Sequence, residues 1–133
     1  MSRKYAEAPW ADDLLAYIGR SPTPWHAAAS AVKRFEEAGF ESLDEDEAWS
    51  LKPGHGYYVV RDSSSVIAFR VGEQPPTHSG YRMVGAHTDS PGLRLKPKPQ
   101  MIKGGWETLT AEVYGGPILA TFADRDLTLA GRL

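Results

Sequence analysis

Short clusters of proline and glycine cut this chain into pieces, and that punctuation constrains the fold more than any other feature. Ser21-Pro22-Thr23-Pro24, Gly54-His55-Gly56, Gln74-Pro75-Pro76, Pro97-Lys98-Pro99, Gly104-Gly105 and Gly115-Gly116-Pro117 each interrupt whatever pattern precedes them. Proline lacks an amide proton and glycine adopts φ values that other residues avoid, so such groups mark turns between short elements. No apolar stretch between them approaches the length of a membrane span.

Within those limits the first pieces read as helices. Pro9 suits a first helical position, and Asp12 and Asp13 sit where the helix dipole favours negative charge. Leu14, Leu15 and Ile18 form an apolar stripe, so a helix is predicted from about Pro9 to Ile18. Thr23 as N-cap and Pro24 at the first position open a second helix. Its apolar residues Ala28, Val32 and Phe35 recur at helical spacing, and Gly39 ends it. The period then shortens. Gly56 to Arg61 and Val66 to Val71, joined by Asp62-Ser63-Ser64-Ser65, read as a hairpin. Tyr81 to His87 reads as a short buried strand, and Leu93 to Lys96 as a strand limited by Pro97 and Pro99. Leu109 to Tyr114, Ile118 to Phe122 and Leu127 to Ala130 read as further strands. Two helices followed by a mixed sheet place the chain in the α/β class. No helix follows the last strands, so their sheet is expected to stay bare unless further sequence or a partner covers it.

Charge and composition narrow the chemistry. The 133 residues have a formal net charge of -2, with no cationic surplus to neutralise phosphates, so neither nucleic acid nor a membrane surface is an expected partner. Cysteine is absent, which excludes disulfides, thiolate metal ligands and a thiol nucleophile. Any metal must be held by His, Asp or Glu. The acidic pair at residues 12 and 13 breaks any apolar leader, so a cytoplasmic protein is expected.

The segment Val84-Gly85-Ala86-His87-Thr88-Asp89-Ser90-Pro91 is the best candidate for a site. An apolar run enters small residues, then an imidazole, then a carboxylate two positions on. The carboxyl end of a strand in an α/β sheet is where ligand sites form. Imidazole is a common zinc ligand, and a carboxylate on the same side of extended backbone can support it. The triplet by itself is common, and a His and an Asp capping a turn are its simpler explanation. Other groups read as structural. His26 packs or caps at a helix start, while His55 and His78 lie in turns. Asp124-Arg125-Asp126 reads as an ion-paired corner, and Arg94, Lys96 and Lys98 as a solvated strand face.

A set of blocks around the triplet favours the site reading. Ser21-Pro22-Thr23-Pro24-Trp25-His26-Ala27, Trp49-Ser50-Leu51, Gly56-Tyr57-Tyr58 and the run from Arg61 to Phe69 resemble, in order, those of the aspartyl aminopeptidase family of zinc metallopeptidases. So do Gly85-Ala86-His87-Thr88-Asp89-Ser90-Pro91-Gly92-Leu93-Arg94-Leu95-Lys96-Pro97, Val113-Tyr114-Gly115-Gly116 and the run from Asp124 to Arg132.

The resemblance implies a metallo-aminopeptidase that removes N-terminal acidic residues from peptides with a two-zinc site. Zinc in such a site makes water nucleophilic and polarises the scissile carbonyl. His87 matches a zinc ligand and Asp89 its catalytic companion. Family members are several times longer and form large homo-oligomers. Their bridging Asp, general-base Glu and remaining ligands have no counterpart in these 133 residues. The expectation is therefore residues 1–133 as the N-terminal segment of a catalytic domain, stopping near the insertion point of a dimerisation domain, with weak or absent zinc binding and inactive alone. The alternative is a non-catalytic truncated or pseudoenzyme module that acts only by assembly with other chains.

Overall fold

The computed structural model describes residues 9–132. They fall into two compact units, one running up to Thr88 and taking in Ala130 onward, the other spanning Asp89–Leu129.

In the first unit, helix α1 spans Pro9–Gly19 and α2 spans Pro24–Glu37, close to the sequence expectation. The Thr23 side chain accepts a hydrogen bond from the His26 amide, and Pro24 follows it at the first turn, so the amide it lacks is one that helix starts leave unpaired. At the other end Gly39 adopts φ +78°. The Gly39 amide donates to the Glu36 carbonyl and the Phe40 amide to the Phe35 carbonyl, which satisfies carbonyls the helix leaves open. The Phe35 and Phe40 rings, 5.3 Å apart, close this cap with an apolar contact.

Strands β1 (Glu41–Ser42), β2 (Gly56–Arg61) and β3 (Ser65–Arg70) form a sheet in that order, with β1 parallel and β3 antiparallel to β2. The β2–β3 hairpin turns through Asp62 and Ser63, both at positive φ. Asp and Ser tolerate such turns better than bulkier residues do.

The core lies here. Ala27, Ala28, Tyr57, Tyr58 and Val59 are buried. Tyr58 meets α2, stacking near Phe35 and donating to Glu36 at 2.9 Å. Its neighbour Tyr57 faces the opposite side, as alternation in a strand requires. There it packs against Phe69, which meets Trp49, and its hydroxyl accepts from the Lys52 amide at 3.1 Å. The sheet is thus covered by a helix on one face and by the 43–53 loop on the other. Helix α1 adds little to this core. Tyr17 donates to the Ala27 carbonyl at 3.0 Å and Asp13 pairs with Arg34, but Leu14, Leu15 and Ile18 are exposed rather than packed as their stripe suggests.

Residues 81–87 form no strand, contrary to expectation, and Tyr81, Met83 and Val84 are exposed. An apolar run becomes a buried strand only when neighbours pair with its backbone, and no described strand does so. A short helix α3 (Pro76–Ser79) precedes it.

The second unit is built on one antiparallel hairpin, β4 (Gly92–Lys103) with β5 (Trp106–Tyr114). Both strands are longer than expected. Pro97 and Pro99 do not end β4, because the register breaks between Leu95 and Gln100 and the ladder resumes beyond it. Proline is tolerated at such a bulge, where no ladder bond is asked of it. The expected strand at 118–122 is instead a single 3-10 turn at Leu119–Thr121, and residues 127–130 have no regular structure. Both lack a neighbouring strand among the described residues. Arg125 donates to the Thr121 carbonyl, and among the described residues it makes no ion pair with Asp124 or Asp126.

Candidate functional site

His87 and Asp89 lie on either side of the junction between the two units, which falls after Thr88. Three local features bear on the stretches that carry them. The first is Thr88, half-buried, whose hydroxyl donates to the Ser64 carbonyl at 2.9 Å and ties this stretch to the β2–β3 turn. The imidazole of His87 is exposed. The second is Tyr114 at the end of β5, whose hydroxyl donates to Oδ2 of Asp89 at 2.7 Å. Both partners are half-buried. The third is Gly115, at φ +70°, where an added Cβ would lie 3.4 Å from Pro91. The end of β5 thus meets the turn that carries Asp89 at two consecutive residues.

Charge follows this geometry. The Asp89 carboxylate accepts from the Tyr114 hydroxyl and also repels the phenolate, and both effects push the Tyr114 pKa above the ordinary tyrosine range. Arg94 lies over the Tyr114 ring, its guanidinium carbon 4.1 Å from the centroid, and opposes that shift. In the first unit the Tyr58 pKa is also raised, there mainly by burial and then by its hydrogen bond to Glu36.

Strand register explains the Tyr114 cluster. Gly92 pairs with Tyr114 and Arg94 with Glu112, so Arg94 and Tyr114 are diagonal neighbours on one face of the hairpin. In the sequence, Tyr114 stands out only as part of a block and Arg94 as a solvated cation. The available signal was the hairpin itself, whose closure sets the last residue of β5 beside the first of β4.

The other histidines serve local structure. His26 Nδ1 lies 2.7 Å from the Thr23 hydroxyl at the helix cap, and His55 lies 3.6 Å from Glu41 beside Tyr57. His78 sits in α3. Among the described residues, no group of three or more His, Asp or Glu side chains is placed to hold a metal. A zinc site takes three or four protein ligands, so the described residues do not by themselves fit a zinc ion. What the arrangement offers is an accessible imidazole and, two residues on, a carboxylate held from one side by a phenol.

Comparison with known proteins adds to this geometry. The family model described as aminopeptidase I zinc metalloprotease (M18) matches residues 17–133. The chain is 52% identical over 120 residues to a probable M18 family aminopeptidase 2 of Pseudomonas syringae pv. syringae, covering 90% of this chain and 28% of that protein. A protein of the same description from Pseudomonas putida matches to the same extent. The chain therefore spans less than a third of these relatives' length. Among solved structures, that of the Ape4 and Nbr1 complex superposes with a TM-score of 0.82 at 41% identity, covering 87% of this chain and 22% of the matched one. The S. cerevisiae mApe1 dodecamer gives a TM-score of 0.77 at 24% identity over 88% of this chain and 28% of that one, a likeness of fold.

Proposed function

Because the chain belongs to the M18 family of zinc metalloproteases, we propose that it is the N-terminal part of an aminopeptidase catalytic domain that releases N-terminal residues, acidic ones by preference, from peptides. The observation that carries this reading is the M18 match from residue 17 to 133, which includes His87 and Asp89. In it His87 is a zinc ligand and Asp89 the catalytic companion. The remaining ligands of a two-zinc centre and the general base come from polypeptide outside these 133 residues. His87 suits its role by being accessible, and Asp89 by carrying an oriented carboxylate. The complete protein is a cytoplasmic homo-oligomer in this reading; the mApe1 structure of the same fold is a dodecamer.

A second reading is favoured by one observation, the lack of any three-donor group among the described residues. In it the chain is a non-catalytic module that acts only by assembling with other chains.

The test is zinc retention after dialysis, for the chain alone and for the chain mixed with a polypeptide covering the rest of a Pseudomonas M18 relative. The peptidase reading expects sub-stoichiometric zinc in the chain alone. It expects retained zinc and release of N-terminal aspartate from a peptide in the mixture, with both abolished by His87→Ala. A mixture that forms a stable complex without zinc or activity supports the assembly module instead. Zinc retained undiminished in His87→Ala removes His87 from the ligand set.

A further inference from the structure

We propose that Tyr114 is a positioning residue for Asp89, fixing the orientation of its carboxylate from the end of β5. The proposal rests on the reading of Asp89 as the catalytic companion and adds a residue to that machinery.

The geometry is specific. A hydroxyl 2.7 Å from a carboxylate oxygen is a short, charge-assisted bond. Such bonds are directional, so the bond limits rotation of the Asp89 side chain. The phenol is in turn held. Its ring carries the Arg94 guanidinium at 4.1 Å, and a cation over an aromatic face is attracted by it. The next residue, Gly115, runs close enough to Pro91 that an added Cβ would lie 3.4 Å from it, so the strand end and the turn pass side by side here. β4 and β5 are already paired from Gly92↔Tyr114 to Lys103↔Trp106, and the Tyr114 hydroxyl leaves that ladder to reach the one carboxylate in the His87-Thr88-Asp89 segment. A carboxylate that must face a fixed partner gains from such support, because misplacement by an ångström lowers rate steeply.

The test compares the 133-residue chain with its Tyr114→Phe variant by NMR, reading the χ1 couplings of Asp89. Phenylalanine keeps the ring under Arg94 and removes only the hydroxyl. The expected result is one Asp89 rotamer in the original chain and averaged couplings in the variant, with β4–β5 amide shifts preserved away from the site. An Asp89 rotamer that stays fixed in Tyr114→Phe overturns the proposal. Should that variant lose the hairpin, Asp89→Asn serves in its place. Loss of the carboxylate should then shift the Tyr114 Cζ resonance, and an unmoved resonance overturns the proposal.

In the mixture with the M18 complement, Tyr114→Phe is expected to lower kcat about tenfold or more, with KM changed by less than about twofold. An unchanged kcat overturns the role. A mixture inactive with the original chain counts against the peptidase reading alone, and the Asp89 couplings still decide whether Tyr114 positions the carboxylate.

Discussion

The two hairpins of this molecule share a topology and differ in almost everything that packing provides. The β2–β3 hairpin is the shorter, with six residues per strand, yet it contributes Tyr57, Tyr58 and Val59 to the core. The β4–β5 hairpin has strands of 12 and 9 residues and no buried residue among them. Its inward–outward alternation is sound, with Leu93, Leu95, Leu109, Ala111 and Val113 on one face, but Leu93, Leu109 and Val113 remain exposed. The difference is what covers each sheet. Helix α2 lies on one face of β2–β3 and Trp49 of the 43–53 loop meets Phe69 on the other, whereas within its own unit β4–β5 is followed, among the described residues, only by a 3-10 turn and irregular chain. Backbone pairing alone makes a marginal hairpin, and apolar burial supplies the stability.

The sharpest way to break the contrast is Tyr57→Ala. Tyr57 is only 2% exposed, and removing a buried aromatic costs about 3–5 kcal/mol. Urea unfolding should show most of the first unit's stability gone, while hydrogen exchange in β4–β5 stays as it was. Equal loss in both units would show that they unfold as one and dissolve the comparison.

Gly115→Ala strikes the other hairpin. At φ +70° an L-residue is strained by about 1–2 kcal/mol, and the new methyl would stand in van der Waals contact with Pro91. Exchange protection should fall near Gly92 and Tyr114 and not in β2–β3. Thr23→Ala removes the α2 cap and should cost about 1 kcal/mol, read as a small shift of the first unit's urea midpoint.

Alkaline titration gives the finest distinction. Both Tyr58 and Tyr114 hold their protons above the ordinary range, near 10 for a free tyrosine, but for different reasons. A raised folded pKa stabilises through the protonated form. That contribution is complete below the unfolded pKa and is lost as pH rises through the folded one. Phenolate absorbance should therefore develop late for both residues. Asp89→Asn should bring Tyr114 back toward the ordinary range and leave Tyr58, which is raised mainly by burial, where it was.

Much of the first unit was legible because its signals are local. Thr23-Pro24 and Gly39 fix the ends of α2 through bonds made within a few residues, and Asp62-Ser63-Ser64 fixes a turn. The failures share a cause. Residues 81–87, 118–122 and 127–130 are apolar enough to be strands, but a strand needs a neighbour, and composition does not reveal whether one is present. Leu14, Leu15 and Ile18 failed in the same way, as a stripe without a covering surface. For the candidate site, the sequence could single out His87 and Asp89 as candidates because their segment is contiguous. Tyr114 and Arg94 could not, since their bearing on Asp89 depends on pairing across 25 residues of sequence.

The sequence by itself therefore determined the helix ends, the first hairpin, the absence of thiol chemistry and the segment that carries the candidate imidazole and carboxylate. Each follows from the dihedral preferences or functional groups of neighbouring residues. Only the tertiary structure decided which apolar faces are covered, how far β4 runs past its prolines, and that a phenol backed by a guanidinium holds Asp89. Those outcomes depend on register and burial, which arise when segments distant in sequence meet and exclude water.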